Sequence, residues 1–149
     1  MSKLVKNILK QKAANAVIHE HLLGGYVFNS LENKDYKQAW QSHYIANDIR
    51  LNELYLLNSK LEASNISVTL LKGIVLVQDI YQDLGERSMC DIDLLIKKEH
   101  WSKFKEILIL NEYKEVELSK WWANDYKWIF EKKVDGLNVV IEIHTKLFY

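Results

Sequence analysis

Along the first third of the chain apolar residues recur at helical spacing, whereas toward its end they alternate with polar ones, and the change of period marks a change of structure. Leu4, Val5, Ile8 and Leu9 open one helical pattern, continued by Ala13, Ala16 and Val17 until Gly24-Gly25, which reads as its break. Tyr26 to Glu32 reads as a loop. A longer helix is expected from near Asn33 to near Asn65, with Trp40, Tyr44, Leu51, Leu54 and Leu61 along one stripe. From Ile66 onward strands and helices alternate: a strand up to Leu71, a short helix over Ile74–Tyr81, a strand over Cys90–Ile96 and a helix over Glu99–Asn111. Strands follow near Tyr113–Leu118, Tyr126–Lys132 and Leu137–Lys146. Asp135-Gly136, two residues that tolerate positive φ, predicts a hairpin between the last two. The expected fold is α+β, a mixed β-sheet with flanking helices. Residues 1–64 form a helical segment packed on a core of residues 65–149, with no linker or repeat between them.

The strand over Cys90–Ile96 carries the most distinctive chemistry. Side chains alternate along a strand, so Asp91 and Asp93 share one face while Ile92 and Leu94 share the other. Like charges side by side on a half-buried sheet repel, and a cation held between them relieves that repulsion. Glu142 and His144 share a face in the same way, backed by Ile141 and Ile143. Pairing of the two strands would bring a third carboxylate beside the first two and complete an oxygen-rich site suited to Mg²⁺. Imidazole is a poor partner for that ion, so His144 is expected to hydrogen-bond around the site rather than ligate. Lys72 and Gly73 fall at a strand-to-helix junction, where an ammonium, backbone N–H groups and a glycine together make a phosphate cradle. Each feature alone has a plainer explanation: an exposed strand edge for Asp91 and Asp93, the polar side of an amphipathic strand for Glu142, a solvated lysine for Lys72. Their conjunction is what points to a site.

These segments, in this order, resemble the nucleotidyltransferase superfamily that includes DNA polymerase beta. More narrowly, Leu70–Gly73, Tyr81, Arg87–Ile96 and Ile141–Thr145 resemble a bacterial branch of uncharacterised nucleotidyltransferases, over a stretch from roughly Ile49 to the C-terminus. The resemblance implies a nucleotidyltransferase-like sheet. It also implies Mg²⁺ or Mn²⁺ on Asp91, Asp93 and Glu142, and a nucleoside triphosphate, with ATP the choice by abundance. Lys72, Gly73 and Arg87 would contact the nucleotide. Nucleoside monophosphate would pass to a hydroxyl of a small molecule, peptide or protein, with release of pyrophosphate. Two departures stand out: Lys72-Gly73 replaces the superfamily's usual Gly-Ser or Gly-Gly, and the chain ends at Tyr149, sooner than is common in this branch, as a fragment or a minimal version would. The alternatives are a non-catalytic module that binds a nucleotide or a partner protein, and a minimal nucleotidyltransferase of a toxin–antitoxin pair.

Composition narrows the partners. The 149 residues, 48% hydrophobic and 11% aromatic, suffice for one core. Lys+Arg and Asp+Glu balance at 20 each, so no broad positive field draws in a polynucleotide, and a nucleic-acid acceptor is disfavoured. The single Cys90 excludes an internal disulfide and fits a reducing cytoplasm. The start of the chain lacks a signal-peptide core, and no segment approaches the roughly 20 apolar residues of a membrane span, so a soluble cytoplasmic protein is expected. His19 and His21 lie on nearly opposite sides of a helix and cannot share an ion. Trp121, Trp122 and Trp128 read as core filling before a stacking platform, and His43, Asn47 and Arg50 as a solvated helix face before one turned to the cleft.

Overall fold

The computed structural model describes residues 14–81, 83–117 and 126–147. Three helices lead: α1 (Ala14–Glu20), α2 (Gly24–Leu31) and, after a short 3-10 turn at Lys34–Tyr36, the long α3 (Lys37–Ala63). Then come β1 (Thr69–Leu71), α4 (Gly73–Asp79), β2 (Ile92–Leu95), α5 (Trp101–Leu110), β3 (Lys114–Glu115), β4 (Lys127–Val134) and β5 (Leu137–His144). The strands form one mixed sheet in the order β1-β2-β5-β4-β3. The β2–β5 pair is parallel and the other pairs are antiparallel. This is the α+β architecture the sequence predicts. Among the described residues no helix is long and apolar enough to cross a membrane.

Alternation along β2 and β5 decides which face is core. Ile92, Leu94, Val139, Ile141 and Ile143 are fully buried, and Phe130 of β4 joins them. Leu51, Leu54, Leu57 and Leu61 of α3, Ile74 and Val77 of α4, and Phe104, Ile107 and Leu108 of α5 close over that face. Each such side chain is worth about 1.5–3 kcal/mol by burial. Trp128 stacks on Trp101 with centroids 3.9 Å apart at the margin of this cluster, so it fills the core side. Trp121 and Trp122 lie outside the described residues, as do Leu4 to Ala13. The β4–β5 hairpin turns at Asp135 (φ 49°) and Gly136 (φ 83°), both left-handed as anticipated.

Three expectations need correction. Gly24-Gly25 does not break a helix into a loop; it begins α2, so Tyr26 to Leu31 is helical. The glycines are there for space, since a Cβ on Gly25 would collide with the Gly85 carbonyl oxygen. The strand near Tyr113–Leu118 shrinks to Lys114–Glu115, an edge pairing only with β4 and prolonged by the Val116 N–H to Ile129 carbonyl bond, while Leu118 lies outside the described residues. The stripe on α3 holds at Leu51, Leu54 and Leu61, but Tyr44 is exposed, and the helix turns polar residues inward one turn before Leu51.

Candidate active site

Strand register builds the site on the face of the sheet turned away from the helices. Parallel pairing sets Asp93 opposite Glu142 and Leu95 opposite His144. Antiparallel pairing sets Leu71 opposite Asp93, so the chain leaves β1 beside the acids and Lys72 is the next residue. Lys72 sits at φ 53°, ψ −124°, a turn conformation that suits glycine, and Gly73 is already the first residue of α4. The strain therefore falls on the residue whose side chain enters the site. The Lys72 ammonium lies 2.6 Å from Asp93 Oδ1 and 3.7 Å from Glu142 Oε2. On the far side Lys127 Nζ is 2.8 Å from Glu142 Oε2. His144 Nε2 donates to Asp93 Oδ1 at 3.0 Å, since the carboxylate can only accept.

Asp93 is almost wholly buried and Glu142 nearly so, while Lys72 is 59% exposed at its side chain. Two acids thus sit at the floor of the site under a largely exposed lysine side chain. The hydrogen bond to Asp93 is the main cause of a raised Lys72 pKa; burial opposes it, and the charges of Asp93, Glu142 and Asp91 add to it. Burial first, then the charges of Asp93 and Glu142, push Asp91 above the usual carboxylate range, with Lys72 pulling the other way. Asp91 immediately precedes β2 and is electrostatically coupled to the others. Asp93, Glu142 and His144 can each turn one ligand atom inward so that all three lie within 4.8 Å of one another, and Asp91 stands outside that set.

The chemistry of this donor set fits a divalent cation. Two nearly buried carboxylates converge on a point where the protein supplies positive charge from Lys72 and Lys127. Such a pair accepts a hard, oxygen-seeking ion, and the neighbouring imidazole, with its Nε2–H on Asp93, orients that carboxylate.

A second set of contacts holds the loop that delivers Asp91. Asn47 Nδ2 donates to the carbonyls of Leu84 (2.8 Å) and Arg87 (2.7 Å). Trp40 Nε1 donates to Asp83 Oδ1 at 2.6 Å, and His43 Nδ1 lies 3.2 Å from the Gly85 carbonyl. Glu86, buried, accepts from Asn29 Nδ2 and Ser30 Oγ of α2. Asn47 is fully buried and Arg50 nearly so, which overturns the expectation of a solvated face for His43, Asn47 and Arg50. Burial lowers the Arg50 pKa, and the nearby Cys90 and Asp91 oppose that shift. Arg87 stands apart from the acid cluster: its guanidinium lies over the Tyr81 ring, 5.9 Å from the centroid, and its Nε is buried with no hydrogen-bond partner among the described residues.

Of the residues singled out in the sequence, Lys72, Asp93, Glu142 and His144 meet directly, Asp91 joins them through its charge, Gly73 adjoins them along the chain and Arg87 does not reach them. Lys127 was missed, although the signal was present. Counting outward from the Asp135-Gly136 turn pairs Lys127 with His144 and Ile129 with Glu142.

Carboxylates thus lie on two parallel inner strands, with a lysine-bearing turn entering from an antiparallel neighbour. A family model described as uncharacterised nucleotidyltransferase matches residues 8–149, and the chain belongs to that family. A crystal structure of a Thermotoga maritima protein assigned as a nucleotidyltransferase is similar at 18% identity and a TM-score of 0.43, with the match covering 67% of this chain and 59% of that one. This chain therefore spans less than two thirds of that protein's length. No curated protein matches the sequence.

Proposed function

We propose that the protein transfers a nucleoside monophosphate from a nucleoside triphosphate, with ATP the first choice, to a hydroxyl of an acceptor and releases pyrophosphate. The observation that carries this reading is the meeting of Asp93 and Glu142 from separate strands beside the Lys72 turn. Asp91, Asp93 and Glu142 would hold Mg²⁺ or Mn²⁺, which when bound neutralises phosphate charge and stabilises the attacking and leaving oxygens.

The chain's own residues account for the remaining work. Lys72, mostly exposed at its side chain, is free to swing from the acids to the β- and γ-phosphates of the donor. Arg87, whose guanidinium lies over the Tyr81 ring, would offer its planar fork to a phosphate oxygen of the donor. His144 fixes the orientation of Asp93 through its Nε2–H. Glu142 takes the proton of the acceptor hydroxyl at a carboxylate oxygen as that hydroxyl's oxygen bonds to the α-phosphorus. The bond from the α-phosphorus to the bridging oxygen breaks, and pyrophosphate leaves with the electron pair. No covalent enzyme intermediate is needed.

The test is pyrophosphate release from each nucleoside triphosphate with Mg²⁺ or Mn²⁺, with and without cell extract as a source of acceptor. Release is expected, and Asp93→Asn should reduce it by at least about a hundredfold while leaving the fold intact. Absence of release together with a nucleotide-dependent thermal shift would instead make the chain a nucleotide-binding module.

A further inference from the structure

A cavity of about 230 Å³ adjoins the carboxylates on the side of β4 and β5. Its lining includes Lys72, Lys127, Lys146, His144 and Tyr126 along with two leucines, and no carboxylate among the described residues. Two of the three ammonium groups reach it from ion pairs with the acids, Lys72 with Asp93 and Lys127 with Glu142. Lys146, exposed, pairs with no carboxylate among the described residues. The three lysines therefore balance the charges of Asp91, Asp93 and Glu142 as the protein stands. A cation taken up by the acids would leave the lysines in excess, directed at whatever fills the cavity.

We infer that this cavity receives the acceptor and that the acceptor is a small molecule bearing a phosphate group as well as a free hydroxyl. The inference rests on the nucleotidyl-transfer reading above. Lys127 is the pivot, because it lines the cavity and touches Glu142: a phosphate held by Lys127 and Lys146 brings a hydroxyl of the same molecule beside the Glu142 carboxylate. Once a cation on the acids releases Lys72 and Lys127 from their ion pairs, the three ammonium groups suit a phosphate dianion, through charge-assisted hydrogen bonds. Leu71, Leu147 and Tyr126 supply apolar wall for a short carbon skeleton. The volume lies below the roughly 300–1,000 Å³ of pockets that enclose drug-sized ligands, so it suits a molecule of sugar-phosphate size. A polymer is disfavoured as well by the balance of 20 basic and 20 acidic residues, which lays down no basic track for a phosphodiester backbone.

The reaction balances without a further reagent. The acceptor hydroxyl loses its proton to Glu142 and bonds to the α-phosphorus, pyrophosphate departs, and the acceptor's own phosphate stays intact on its lysines. The product is a phosphodiester between the nucleoside monophosphate and the phosphorylated acceptor.

Calorimetric titration of the full chain in Mg²⁺ separates the two phosphate sources. Inorganic phosphate and glycerol phosphate probe the cavity, and a triphosphate with a methylene bridge between its α- and β-phosphorus probes the donor site. Both kinds of probe are expected to bind together. Lys146→Glu should weaken the phosphate probes by roughly tenfold or more and leave the triphosphate analogue within about twofold. The inference is overturned if the analogue excludes the phosphate probes or loses affinity in Lys146→Glu, because the cavity would then belong to the donor's tail. It is overturned equally if neither phosphate probe binds or if Lys146→Glu leaves their affinity unchanged. Failure of the analogue to bind at all removes the nucleotidyl-transfer reading and this inference with it, an outcome distinct from failure of the phosphate probes alone.

Discussion

The two faces of the sheet are built from the same strands and do opposite things. Toward the helices, Ile92, Leu94, Ile141 and Ile143 are buried without a polar atom among their side chains. One residue along in each case, Asp93, Glu142 and His144 crowd charge together on the other face. The difference teaches why such a site can persist: the apolar neighbours fix strand register, register sets the carboxylates side by side, and Lys72 and Lys127 offset their repulsion. Stability resides on one face and chemistry on the other, so substitutions on the two faces should separate cleanly.

The largest effect is expected on the core face. Ile141→Ala should cost about 2–5 kcal/mol in urea denaturation, since Ile141 is fully buried between β2 and β4. A cost below that of an exposed site would show that the sheet is not fixed from the helix side. Next comes the junction between α3 and the loop before β2. Asn47→Ala should cost about 1–3 kcal/mol because it removes the fully buried amide that holds the carbonyls of Leu84 and Arg87, and faster amide exchange across residues 83–91 should accompany the loss.

A smaller effect tests the strain at the site's edge. Lys72→Gly and Lys72→Ala both remove the ammonium, but only glycine relaxes φ 53°, ψ −124°, so the glycine variant should be more stable by about 1 kcal/mol. Equal stabilities would mean that the turn carries no strain. The smallest effect concerns pH. Burial holds His43 below the ordinary imidazole value, and its bond to the Gly85 carbonyl only partly opposes this. A lowered folded-state pKa means the unfolded chain takes up the proton more readily. The contribution of His43 is therefore complete above the ordinary imidazole pKa and lost as pH falls through the lower folded value. The thermal midpoint should drop between about pH 7 and pH 5, and less steeply in His43→Gln.

Features encoded locally were legible in the sequence. Alternation placed Glu142 with His144, and Asp135-Gly136 marked the hairpin that sets the register of β5, whereas Asp91, expected on the same strand as Asp93, falls just before β2 and outside the set formed by Asp93, Glu142 and His144. What escaped notice depends on segments distant along the chain. Asn47 and Arg50 look like a solvated face because the backbone they hold lies some 40 residues later, as the 37- and 40-residue separations of the Asn47 bonds illustrate. Gly24-Gly25 looks like a break because the carbonyl of Gly85, against which it packs, is not a neighbour in sequence. Lys72 reads as a phosphate ligand from its junction, and only the antiparallel register of β1 shows that it first pairs with Asp93. Tertiary contact overrides local pattern at each of these places.

The central claim is that Asp93 and Glu142 form one cation site. Mn²⁺ titration followed by electron paramagnetic resonance, in the presence of a non-hydrolysable triphosphate, measures it without turnover. Asp93→Asn and Glu142→Gln are each expected to weaken Mn²⁺ binding by at least about tenfold, with thermal midpoints close to that of the unaltered protein. Mn²⁺ affinity unchanged in both variants would contradict the account.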